Sequence, residues 1–330
     1  MTRVSCLLFI VLMAFSCSPA PSPLVVENGE LVTTSGDPVV LHGVSLADPY
    51  FLREVDGRNL SSDIEELDTE WGVDVIRVPI YPELWTHHPS YLAEYVDPVV
   101  AEARDHGLYV ILGWHAQGNP LTGEVDSMEW ENTPPWRGNP FRPNKGLAQA
   151  ALKRIVSRYQ GQPHVLYSIY SEPAYISWRN WRPVAEDLVD AVRDVDSTAI
   201  AIVPGVNWGY DLSGALANPV RRPDIVYETH PYPDKGTEWQ SVARKLRKEH
   251  PVFVGEWGFT EQHTDSVTTD STELLRYGEE LTAVSEELNI GWTAWIWHSE
   301  WRPPMLRSFR RYEPTRYGQF VKDKLSDPDS

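Results

Sequence analysis

Short runs of apolar residues recur along the chain at 39–44, 73–79, 108–114, 165–170, 199–203, 225–228, 252–255 and 291–297. They read as near-continuous apolar stretches, the pattern of strands covered on both faces, and a sheet of such strands is parallel. Between the runs the spacing changes to that of helices. Leu147, Ala151, Ile155 and Tyr159 recur every four residues, and Leu274, Tyr277, Leu281, Val284 and Leu288 form a second stripe that Asn289 stops. Asp97-Pro98 predicts a cap followed by a first helical residue, and Gly107 predicts the end of that helix. Upstream, Asn28-Gly29 and Ser35-Gly36-Asp37 predict the turns of a small sheet. Eight strand–helix units predict an α/β fold, a closed (β/α)8 TIM barrel with a short N-terminal β-hairpin. The alternative is an open doubly wound sheet, but no GxGxxG or GxxxxGK[ST] turn follows any strand and no GxSxG elbow occurs.

The first residues do not fit this alternation. Arg3 is followed by an apolar run over 4–15, the length of a signal-peptide core and too short for a membrane span. Residues 1–23 are therefore expected to be a signal peptide and linker, and 24–330 a single barrel domain. Both cysteines, Cys6 and Cys17, fall in the leader, so the mature chain is expected to have no internal disulfide. Ala14-Phe15-Ser16-Cys17 resembles a lipoprotein signal that would lipidate Cys17, with ordinary cleavage and secretion as the alternative. The expected product is an exported monomer that touches a membrane only through such an anchor.

The formal net charge of −18 argues against nucleic acid as a partner, because a phosphate backbone would be repelled. A neutral ligand suits such a surface, and 14 Trp with 15 Tyr exceed what a core requires, which points to stacking on that ligand.

In a parallel barrel the reactive groups collect at the C-terminal ends of the strands. The residues that fall there are Arg77, His115, Ser171-Glu172, Asn207-Trp208, His230 with Tyr232, Glu256-Trp257, and Trp295 with Trp297. Glu172 and Glu256 follow strands separated by two others, so their carboxyls face one another across the mouth. A gap of about 5–5.5 Å would make one a nucleophile and the other an acid/base, whereas roughly 6.5–9.5 Å would admit an inverting water. Taken singly, either Glu also fits a solvated loop carboxylate, and His115 and His230 also fit core histidines or metal ligands. No HxH follows the first strand, where Leu41-His42-Gly43 stands, and no HExxH helix occurs, so neither a metal nor another cofactor is expected. The long stretch 117–145, with Trp130 and Trp136, predicts a functional or lid-like loop.

IRVPI at 76–80, ILGWH at 111–115, SEP at 171–173, THPY at 229–232, GEWG at 255–258 and WTAW at 292–295 together resemble glycoside hydrolase family 5, a family of retaining barrels. The resemblance covers residues 25–325. It implies Glu172 as acid/base and Glu256 as nucleophile, with Arg77 beside Glu256, Tyr232 hydrogen-bonded to it and His230 near Glu172. It also implies sugar contacts from His115 and Trp295; Ser171, Trp208 and Trp297 are further candidates for the substrate, and Trp208, Trp297, Trp130 and Trp136 fit core or loop packing as well as sugar platforms. The implied activity is retaining hydrolysis of β-linked polysaccharide, endo-β-1,4-glucanase-like, with mannanase second. Two positions depart from the pattern: Ser171 stands where the family has Asn, which bonds the sugar 2-hydroxyl, and Gly113 where it has Asp. The Ser171 departure keeps a catalytically silent glycan-binding protein open as an alternative.

Overall fold

The computed structural model describes residues 20–126, 142–260 and 271–326. The predicted leader cysteines, Trp130 and Trp136 lie outside these residues. Eight parallel strands close a barrel in sequence order: β1 (His42–Leu46), β2 (Val75–Ile80), β3 (Tyr109–Trp114), β4 (Val165–Ser168), β5 (Ala201–Pro204), β6 (Ile225–Thr229), β7 (Val252–Val254) and β8 (Gly291–Trp297). Helices on the outside connect them, including Asp97–Asp105, Lys145–Tyr159, Trp178–Arg193, Glu238–Leu246 and Ser271–Leu288. Among the described residues no helix is long and apolar enough to cross a membrane.

Three local expectations shift. The first strand begins at His42 rather than 39, because Val39 donates its amide back to Leu31 and extends the hairpin. Asp97 is no cap: the turn Leu92–Val96 runs straight into the helix, and the Asp97 carboxylate instead accepts from Arg158 Nε at 2.6 Å and Tyr159 OH at 2.8 Å. The run at 165–170 stops pairing in the barrel at Ser168, which frees Ser171 and Glu172 to turn into the mouth.

Residues two apart on a strand share a face. Inside the barrel, Leu41, Val75, Ile111, Leu166, Ile200, Ile202, Val226 and Phe253 form one apolar cluster with Leu24. The hairpin Leu24–Thr33 covers that end, turning at Asn28 and Gly29, whose positive φ of 52° and 79° suits the turn. Tyr109 OH fastens it to the Ser22 carbonyl at 2.8 Å, and Arg247 to the Gly29 carbonyl at 2.7 Å. Two residues farther along the same strands, the lumen carries Arg77, Gly113, Ser168, Glu228 and Gly255. Arg77, Ser168 and Glu228 are all essentially without solvent contact. The opposite strand faces, among them Val44, Ile76, Val110, Tyr167 and Tyr227, join the helices in the main core.

Candidate active site

The charged layer opens into the mouth at the strand C-termini. Arg77, central on β2, reaches β7's end, where its Nη1 donates to Glu256 Oε1 at 2.7 Å. Ser171 Oγ donates to the same oxygen at 3.2 Å and accepts from Arg77 Nη2 at 3.3 Å. Tyr232 OH donates to Glu256 Oε2 at 3.3 Å. On the other side of the mouth, Glu172 and Pro173 pair with Gln117 and Gly118, which extend β3, so a short two-stranded sheet fixes the carboxyl. Gln117 Nε2 donates to Glu172 Oε2 at 2.8 Å, and His230 Nδ1 lies 3.1 Å from Glu172 Oε1. One oxygen of each glutamate and a His230 ring nitrogen all lie within 4.8 Å of one another.

The two carboxyls sit in opposite fields. Burial alone would raise Glu256, but the Arg77 and His230 charges outweigh it and hold the group at about 2. For Glu172, burial and the Glu256 charge prevail over the His230 hydrogen bond and raise it above the ordinary carboxylate value. His115 is pushed down to about 3 by burial and by the Arg77 and His230 charges, so it is neutral. Its ring stacks on Trp295 with centroids 5.3 Å apart and planes 1° from parallel.

The structure thus brings together Arg77, His115, Ser171, Glu172, His230, Tyr232, Glu256 and Trp295. Trp208 lies at the rim, beside Tyr175 with centroids 5.3 Å apart and under Lys235 Nζ at 4.8 Å. Its backbone takes φ 56°, unusual for a bulky side chain, and its amide bonds the Pro173 carbonyl next to Glu172. Trp297 is a correction. A register shift between Trp295 and Trp297 breaks the alternation that would have put both indoles in the mouth. Trp297 is fully buried outside the barrel, against Trp71 and Tyr312.

Sequence reasoning missed Glu228, Gln117 and Tyr81. Glu228 sits in the lumen with Oε1 3.1 Å from His230 Nε2 and 3.5 Å from Arg77 Nη2, and it accepts from Ser168 Oγ at 2.7 Å. Its signal is a charge inside an apolar run, two residues before His230 and on the same face. Tyr81 packs on His115 at 4.5 Å. Glu172, His230 and Glu256 are also donors of the kind that bind metals, but Arg77 already occupies one Glu256 oxygen and both His230 nitrogens already face carboxylates.

The sequence model of the family described as Cellulase (glycosyl hydrolase family 5) matches residues 32–300. The chain belongs to glycosyl hydrolase family 5. Among curated relatives, this family 5 chain is 26% identical to endoglucanase E-5 of Thermobifida fusca over 283 residues, 83% of the chain and 55% of the relative. It is 28% identical to an endoglucanase of Clostridium saccharobutylicum over 282 residues, 82% of the chain and 56% of the relative. The chain therefore spans just over half the length of these relatives. The β-glucanase SdGluc5_26A of Saccharophagus degradans superposes with a TM-score of 0.82 at 24% identity, covering 98% of each chain. The catalytic domain of the T. fusca endoglucanase Cel5A gives 0.74 at 23%, over 92% of this chain and 97% of that one. These superpositions show the same barrel fold.

Proposed function

We propose that the chain is a retaining endo-glycosidase of β-linked polysaccharide, with Glu256 as nucleophile and Glu172 as acid/base. The observation that carries this reading is the pair of carboxyls: one oxygen of each within 4.8 Å of the other, too close to admit an inverting water, with one group held far below its ordinary value and the other raised above it. Retaining pairs lie about 5–5.5 Å apart, and inverting ones leave roughly 6.5–9.5 Å for a water. Arg77 and Ser171 hold Glu256 Oε1, and Oε2, oriented by the longer bond from Tyr232, attacks the anomeric carbon. As that bond forms, the glycosidic bond breaks and the Glu172 proton passes to the departing oxygen. In the second step Glu172 takes a proton from water, whose oxygen displaces Glu256 and restores the starting configuration. Trp295 and His115 offer stacked apolar faces to a ring beside Glu256, and Trp208 offers one on the Glu172 side.

Relatives named endoglucanase and a neighbouring β-glucanase bound to cellotetraose favour a β-1,4-glucan, with mannan second. Export of a single domain, 24–330, behind a signal peptide and linker over 1–23, either anchored by lipid at Cys17 or freely secreted, suits a polymer that cannot enter the cell. The test is hydrolysis of barley β-glucan, carboxymethylcellulose, glucomannan and xyloglucan with product sizing, by wild type and Glu256→Gln. New reducing ends of intermediate size from a glucan, absent in the variant, support the reading. Oligosaccharide binding with no release by either protein makes the chain a glycan-binding protein, and equal release by both overturns the nucleophile assignment.

A further inference from the structure

Three buried carboxylates meet at this mouth, and the double displacement uses two. Glu228 is the third. It lies on β6 below the substrate level, with 1% of its surface exposed, outside the space between Glu172 and Glu256. An isolated buried carboxylate is costly, so its partners decide its purpose. They are Arg77 at 3.5 Å, His230 Nε2 at 3.1 Å and Ser168 Oγ at 2.7 Å. Arg77 is the partner of Glu256, and His230 is the partner of Glu172. Space is kept clear for Glu228: a Cβ on Gly255, the residue before Glu256, would lie 1.7 Å from Glu228 Oε1.

We propose that Glu228 is a positioning residue that anchors Arg77 and His230 from below, so that each presents a fixed donor or acceptor to one of the two reacting carboxyls. This rests on the glycosidase reading above. Glu228 accepts the Nε2–H of His230, which leaves Nδ1 for Glu172 whichever of the two holds the shared proton. The same carboxylate, with Glu256, brackets the Arg77 guanidinium, so five side chains in contact link nucleophile to acid/base: Glu256, Arg77, Glu228, His230, Glu172.

His230 is faced by Glu172 after β4, Glu228 from β6 and Glu256 after β7, and Arg77 from β2 and the neutral His115 after β3 lie against Glu256 in turn. Burial opposes the imidazolium, and the Glu256 and Glu228 charges with the hydrogen bond to Glu172 overcome it, lifting His230 to about 10.

The test uses the full chain with Glu228→Gln, which keeps shape and removes charge. Two readouts are taken: the pH titration of the His230 ring by 15N NMR, and the pH profile of kcat and KM on an aryl glycoside of a hydrolysed sugar. The expected result is a fall of about 1–3 pH units in the midpoint of the His230 titration. With it, kcat drops by about 10²-fold while KM is unchanged, because the reacting groups move out of line and the side chains that hold the sugar stay where they are. If that variant does not fold, Ser168→Ala removes one hydrogen bond to Glu228 and no charge, and a smaller fall in the same direction is expected. A His230 titration identical to wild type in whichever variant folds overturns the proposal. The NMR readout needs no turnover, so a chain that hydrolyses nothing refutes the glycosidase reading and leaves this result standing.

Discussion

At its lower end the barrel is filled by Val75, Ile111, Leu166, Val226 and Phe253 under the hairpin, and two residues farther along the same strands the filling is Arg77, Gly113, Ser168, Glu228 and Gly255. The lower layer stabilises by removing apolar surface from water, each buried Val or Leu contributing about 1.5–3 kcal/mol. The upper layer desolvates charges, which costs stability unless each finds a partner, and its charged groups Arg77 and Glu228 pair with one another and with the groups above them. A barrel needs packing at one end only, and the other end is free to carry a costly electrostatic arrangement for chemistry.

The largest effect belongs to the upper end. Glu172→Ala is expected to lower kcat by about 10²–10⁴-fold, with partial recovery when azide replaces water as the attacking group. No recovery would remove Glu172 from the acid/base role. At the lower end, Leu166→Ala is expected to cost about 2–5 kcal/mol in denaturant unfolding and to leave the pH profile of kcat unchanged. A shifted profile would mean that the two layers are not separable.

The paired indoles of β8 sharpen the contrast within one strand. Trp295→Ala is expected to raise KM by about 3–10-fold through the loss of ring stacking. Trp297→Ala should act on stability, by about 3–5 kcal/mol, with KM unaltered. Reversed outcomes would restore Trp297 to the mouth.

Stability against pH separates the layers again. Glu256, held at about 2 against an ordinary 4.5, contributes stability that is present above 4.5 and lost as pH falls toward 2. His230, raised from 6.5 to about 10, contributes stability that is present below 6.5 and lost as pH climbs toward 10. Calorimetry should show the acid-side decline reduced in Glu256→Gln, and an unchanged slope would contradict the Arg77–Glu256 pairing. The smallest effect is expected from Ser171→Asn. A rise in kcat of about 2–5-fold fits a missing amide contact, and a fall would mean that the hydroxyl on Glu256 Oε1 is needed.

The barrel is legible in the sequence because its lower layer and outer faces obey strand and helix periodicity, and the strand-end rule places Arg77, Glu172, His230 and Glu256 at one mouth. Glu228 escapes because 225–228 reads as an apolar run; the period of two sets it beside His230, on the face shared with Val226. Gln117 escapes because its position depends on a two-residue pairing with Glu172, a contact between distant segments with no local signature. Trp297 is misplaced because strict alternation cannot anticipate a bulge.

The most direct measurement is mass spectrometry of peptides after incubation with an activated 2-deoxy-2-fluoro β-glycoside of a hydrolysed sugar, which slows the second step more than the first. A single fluoroglycosyl group on the peptide bearing Glu256, lost when that residue is Gln, is the predicted result. Label on another residue, or none while the chain hydrolyses the polymer, would contradict the assignment of Glu256 as nucleophile.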